Sequence, residues 1–118
     1  SRALRFGGVK RLGAELDQIW DRFHKPIIMT EFGADTIPGY HGKPDVMWTE
    51  EYQAQYIRFH MEEAEAREFV AGMQVWNFAD FAAVQSLMRV GGINHKGIFT
   101  RVRTPKMAAH VLREFWVK

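Results

Sequence analysis

The chain has 118 residues, with 16 Lys plus Arg against 14 Asp plus Glu for a formal charge of +2, 47% hydrophobic residues and no cysteine. That apolar content can offset the entropy lost on folding, so a disordered chain is excluded, and the length sets one domain as the ceiling. The missing cysteines exclude a disulfide scaffold, a thiolate metal site and a cysteine nucleophile. With no leader-like apolar stretch after Ser1, Arg2, Ala3, Leu4 and Arg5, they favour a cytoplasmic setting.

Val9, Leu12, Leu16, Ile19, Trp20 and Phe23 recur at three- and four-residue steps, which predicts one face of an amphipathic helix. His24 and Lys25 suit its carboxyl end, and Pro26 forbids its continuation. Ile27, Ile28 and Met29 predict a short strand buried on both faces. A loop rich in turn formers follows, from Gly33 past Asp45. Thr49 predicts an N-cap, with Glu50 and Glu51 facing the positive end of the next helix dipole. Tyr52, Tyr56, Ile57, Phe59 and Ala64 form that helix's packing face. Val70 to Phe78 predicts a second strand. A second long loop runs to Thr104, the predicted cap of a third helix with Pro105 in its first position. Met107, Ala108, Val111, Leu112, Phe115 and Trp116 supply its apolar face.

Helix, strand, helix, strand, helix is an α/β order, and two strands joined through a helix make a parallel βαβ unit. A sheet of two buried strands is too small to stand alone. Long loops follow each strand and short connections precede them, the arrangement in which α/β folds carry chemistry at strand carboxyl ends. A (β/α)8 TIM barrel takes about 250 residues. The expectation is therefore the C-terminal portion of such a barrel, its last two β/α units plus a preceding helix, with residues 1–118 as one piece of that domain.

Three constellations lie at the predicted mouth. Glu31, in Lys25-Pro-Ile-Ile-Met-Thr-Glu-Phe-Gly33, ends the first strand, where its carboxylate is either a nucleophile aimed by the strand or an ordinary exposed or ion-paired glutamate. Trp76 and Asn77, in Val75-Trp-Asn-Phe-Ala-Asp-Phe81, offer an indole face for a sugar ring and a donor and acceptor beside it. Alternatively, Trp76 packs the barrel's top layer. Asp80 reads as a group that caps or salt-bridges its own loop. Arg89, Asn94 and Lys96 concentrate donors in a glycine-flexible loop, which suits an anion such as a carboxylate or phosphate, or simply a solvated basic loop. None of the five histidines has an i, i+4 histidine partner and no HExxH occurs, so no metal site is expected. Gly91-Gly92 alone makes no nucleotide loop, and no cofactor is expected. His41 and His95 lie in mouth-side loops within reach of ligand, whereas His24, His60 and His110 read as helical surface residues.

In this order and spacing, PIIMTEFGADTIPGYH, MWTEEYQ, QVWNFADF, RVGGINHKGIFTR and PKMAAHVL resemble the C-terminal end of the β-glucuronidases of glycoside hydrolase family 2. The likeness runs from about Lys25 to Trp116. It implies retaining hydrolysis of β-D-glucuronides, with Glu31 as the catalytic nucleophile, ionised through nearby donors or a cation. It further implies that Asn94 and Lys96, of an Asn-x-Lys pair, bind the sugar's C6 carboxylate and that Arg89 supports the same subsite. Trp76 would lie beneath the sugar, with a cis peptide to Asn77. The resemblance implies a homo-oligomeric parent enzyme, commonly a tetramer. No cofactor belongs to the implied mechanism.

The acid/base glutamate of that family follows an asparagine, but neither of the chain's asparagines, Asn77 and Asn94, precedes a Glu. The expected partner is thus the rest of the barrel, in cis or in trans, together with a β-D-glucuronide. An Ile also stands at position 93, where many relatives pass directly from the glycines to Asn. The alternative is a non-catalytic carbohydrate-binding or assembly fragment, since one carboxylate cannot serve both steps. Neither nucleic acid nor membrane is expected as a partner: the charge excess is small and dispersed, and no apolar run reaches the roughly 20 residues of a span.

Overall fold

Pro26 has no N–H to give, and the first helix stops before it: α1 spans Gly7–Phe23, with His24 at a positive φ of 49°. The computed structural model describes residues 7–118, with side chains from residue 11 onward. The leader-free reading of Ser1 to Arg5 and the packing role of Val9 lie outside the described residues. Leu16 is buried, Trp20 stacks on Phe69 with centroids 4.9 Å apart, and Arg67 binds Asp17 at 2.7 Å. The rest of the predicted stripe is less covered, since Ile19 and Phe23 are exposed.

Strand β1 (Ile27–Phe32) and strand β2 (Val70–Val75) pair in parallel, joined through helix α2 (Glu50–Glu65). Thr49 caps α2 as predicted, its Oγ1 accepting from the Tyr52 N–H at 3.0 Å. Helix α3 (Met107–Trp116) packs against α2. Phe32, Ile57, Met61, Ile98, Ala108, Val111 and Leu112 form one core under the strands, with Met29, Met73 and Val75 packed on it. Burying a side chain such as Ile57 contributes about 1.5–3 kcal/mol.

Several expectations change. The strands are covered on one face only: Ile28 is 57% exposed, and within the described residues nothing lies over it. The second strand ends at Val75 instead of Phe78, and the Trp76–Asn77 peptide just beyond it is cis. Thr104 and Pro105 stand outside α3. Thr104 closes a tight turn with Thr100, Pro105 bridges Phe99, and Lys106 occupies the N-cap position. The second loop also contains a small antiparallel ladder, β3 (Phe81–Ala82) on β4 (Ile93–Asn94). The additional Ile93 is absorbed in this ladder opposite Ala82.

Candidate functional site

The register of β1 against β2 slips between Met29 and Phe32, which oppose Met73 and Val75. Three steps on one strand answer two on the other, so one extra residue bulges out. Met29 and Phe32 can then both face the helices although they are an odd number of positions apart. Between them Thr30 and Glu31 are both exposed. The bulge thus releases the Glu31 carboxylate at the carboxyl end of the sheet. Among the described residues no donor or ion-pair partner holds it.

The end of β2 is drawn against the same edge. The Phe32 carbonyl accepts from the Trp76 N–H at 2.8 Å, and a Cβ at Gly33 would collide with the Trp76 carbonyl. Gly33 is therefore required for a close approach of two chains more than for a sharp turn. Trp76 is 42% exposed, its ring edge-on to Phe81 at 6.1 Å, so it is not a fully packed core residue. Asn77 turns its Nδ2 to the Ala79 carbonyl at 3.0 Å and leaves Oδ1 buried with no partner among the described residues.

The third constellation is laced to both strand ends. The Lys96 carbonyl accepts from the Asn77 N–H at 3.1 Å and the His95 carbonyl from the Thr36 N–H at 3.0 Å. Asn94 is buried, its Oδ1 accepting from the Lys96 N–H at 3.0 Å while its Nδ2 makes no hydrogen bond among the described residues. Lys96 lines a cleft of about 390 Å³ with Asp35, Trp48, Tyr52, Tyr56 and Met88, and no described carboxylate pairs with its ammonium. Arg89 lies 3.7 Å from the Asp35 carboxylate and donates to the Met88 carbonyl at 3.0 Å. Glu31 and Trp76 thus lie at one sheet edge, the Asn94–Lys96 segment is held beside it by the backbone hydrogen bonds of His95 and Lys96, and Arg89 approaches through its contact with Asp35.

The histidines divide differently from expectation. His95 is buried rather than open to ligand: its Nε2–H donates to the Val90 carbonyl at 3.1 Å, and its Nδ1 lies 3.5 Å from the Asp80 carboxylate. His60 is no surface residue. It stacks between Phe32 and Tyr56 with centroids 5.3 and 4.2 Å away. His24 follows α1 instead of belonging to it. His41 pairs with Glu51 at 2.8 Å, and His110 is exposed on α3.

Asp80 has the structural role the sequence suggests, in a larger network than its own loop. Its Oδ1 accepts from the Gly97 N–H and from the Lys106 ammonium, both at 2.9 Å. Lys106 is 1% exposed, and burial pulls its ammonium below the ordinary lysine value against the opposing pull of Asp80. Sequence reasoning overlooked Lys106, Gln53 and the reach of Glu50, which accepts from the Met107 N–H at 2.8 Å and from the Gly39 N–H at 2.8 Å. One signal was present for Lys106. A lysine at a helix N-terminus opposes the dipole, so another partner must hold it there.

The profile of a family described as glycosyl hydrolases family 2, TIM barrel domain, matches residues 3–118. The chain is 49% identical over 102 residues to a β-glucuronidase of Paenibacillus borealis, covering 86% of this chain and 17% of that protein. It is 46% identical over 109 residues to the human β-glucuronidase, covering 90% of this chain and again 17% of the relative. Among solved structures it is similar to the β-D-glucuronidase of Dictyoglomus thermophilum, with a TM-score of 0.87 at 47% identity over 93% of this chain and 19% of that one. The Faecalibacterium prausnitzii β-glucuronidase gives a TM-score of 0.88 at 43% identity over 96% and 19%. The chain therefore spans about a sixth of the length of these curated relatives, and its mixed α/β architecture is that of a partial barrel. By the extent of the profile match and by these relatives, it belongs to glycosyl hydrolase family 2, within the TIM barrel domain.

Proposed function

We propose that residues 1–118 form the C-terminal portion of a family 2 barrel, comprising the last two β/α units and the preceding helix. In this reading the chain contributes to hydrolysis of β-D-glucuronides with retention. The observation that carries it is the bulge that exposes Glu31 at the edge where Trp76 also emerges. A Glu31 oxygen attacks the anomeric carbon as the glycosidic bond breaks, and a second carboxyl group, in its acid form, gives its proton to the leaving oxygen. The resulting glycosyl ester is hydrolysed by water that the second group deprotonates. Such carboxylates stand about 5–5.5 Å apart. The second one comes from the rest of the barrel, in cis or in trans.

Trp76 supplies an apolar face beneath the sugar, with Asn77 closing the same edge. The Lys96 ammonium and the Asn94 Nδ2, both without a partner among the described residues, suit a sugar carboxylate, and Arg89 stands next to Asp35. A neutral hydroxymethyl group would leave that ammonium unpaired, which is the basis of selection. These roles are supported by the β-glucuronidase relatives and by the chemistry of the side chains.

The test is release of dinitrophenolate from 2,4-dinitrophenyl β-D-glucuronide, a leaving group that needs little protonation. Replacing Glu31→Gln should lower the rate by at least about a thousandfold. Release undiminished in Glu31→Gln would overturn the assignment. A second reading, a carbohydrate-binding or assembly piece, is favoured by the absence of any Asn-Glu pair in the sequence. Binding of the glucuronide without release in either protein would select it.

A further inference from the structure

Three consecutive carbonyls, those of His95, Lys96 and Gly97, turn inward onto two buried side chains. The Lys106 ammonium donates to the His95 carbonyl at 3.1 Å, and the Gln53 Nε2 donates to the Gly97 carbonyl at 3.0 Å and reaches the Lys96 carbonyl at 3.5 Å. The same two groups bind the loop that follows β1. Lys106 donates to the Thr36 carbonyl at 3.1 Å, and Gln53 to the Ala34 carbonyl at 3.1 Å. With Asp80 as its third acceptor, every Lys106 donor is used. Gln53 and Lys106 are 0% and 1% exposed.

The geometry points to Lys106 and Gln53 as positioning residues for carboxylate selection: from α2 and the N-cap of α3 they clamp Asn94-His95-Lys96 against the Ala34–Thr36 segment. This inference rests on the carboxylate-binding role proposed above for Asn94 and Lys96. The clamp is tight from the other side as well. The Gly97 N–H is taken by Asp80, and a Cβ at Gly97 would collide with the Asp80 backbone. With its carbonyls fixed inward, the tripeptide has little freedom left in the direction of Lys96. Neither Lys106 nor Gln53 touches ligand in this account, since both are sealed beneath the backbone they hold. A buried ammonium that spans two loops costs desolvation, so it is well placed to set geometry and poorly placed to add stability.

The test compares binding of phenyl 1-thio-β-D-glucuronide and phenyl 1-thio-β-D-glucoside, which differ at C6 alone, by calorimetry on the protein and two variants. Lys106→Met removes the ammonium. Gln53→Leu removes the other donor without leaving a buried charge unpaired, so it keeps the inference testable should Lys106→Met fail to fold. Thermal melts identify the folded variants. The wild-type protein should prefer the glucuronide, and each folded variant should lose about tenfold or more of that preference while its affinity for the glucoside stays within about twofold. Lys106→Arg, which restores a charged donor, should recover part of it. A merely structural role would weaken both ligands alike, and that result, or an unchanged preference in folded variants, overturns the inference. A wild-type protein that binds both sugars equally would instead overturn the carboxylate site itself, and the clamp's function with it.

Discussion

Glu31 was readable in the sequence as a strand-end carboxylate, because an apolar run followed by Thr-Glu-Phe-Gly has few other interpretations. The bulge that exposes it was not, since a bulge is defined by the partner strand, and Met29 and Phe32 reveal it only once Met73 and Val75 lie opposite them. His60 is the converse case. Its neighbours Glu62, Glu63 and Glu65 suggest a solvated helix face, but its own position points at Phe32. Burial holds the His60 imidazole below its ordinary value of 6.5, against smaller opposing effects of the Tyr56 carbonyl and Glu63. The unfolded chain therefore takes up a proton at a pH where the folded chain does not, so stability falls as pH drops through about 6.5 and levels once the folded-state value is passed. Urea unfolding midpoints should decline between about pH 7 and pH 5, and decline less in His60→Gln. Parallel declines in the two proteins would show that His60 is not the source.

At the scale of elements, the three helices and the parallel pair follow from periodicity and from Pro26, which act over neighbouring residues. What escaped the sequence depends on contacts between distant ones. The β3–β4 ladder has two residues on each strand, too few for any alternation to mark it. Glu50 shows the same limit within one residue. Its place after Thr49 suggests service to its own helix dipole, in parity with Glu51, yet its carboxylate caps α3 through the Met107 N–H and ties in the Gly39 N–H. Glu50→Gln should therefore cost about 1–3 kcal/mol, since one charged acceptor at a helix N-terminus is lost and an amide NH2 is turned toward a backbone donor. The partly exposed Glu51→Gln should cost less. Denaturant midpoints that fell equally in both would return Glu50 to the local role.

For the molecule as a whole, a helical layer on one side of two parallel strands explains both what is buried and what is not. The core lies beneath the strands, whereas Ile28 on the opposite face, Phe78 beyond β2 and Trp116 at the end of α3 stay exposed. That is the pattern of a sheet meant to continue, and the family match accounts for it as part of a barrel. Glu31, Trp76 and the Asn94–Lys96 loop share one edge, and in the proposed reading the acid/base carboxylate comes from the rest of the barrel. The reading we propose makes this edge a glucuronide site with Glu31 as its nucleophile. Its most direct test is an intact-mass spectrum after incubation with a 2-deoxy-2-fluoro-glucuronyl fluoride, which carries its own good leaving group and needs little acid help. A single 2-deoxy-2-fluoro-glucuronyl adduct should form, map to Glu31 and disappear in Glu31→Gln. An adduct on another residue, or one that persists in Glu31→Gln, would contradict the reading.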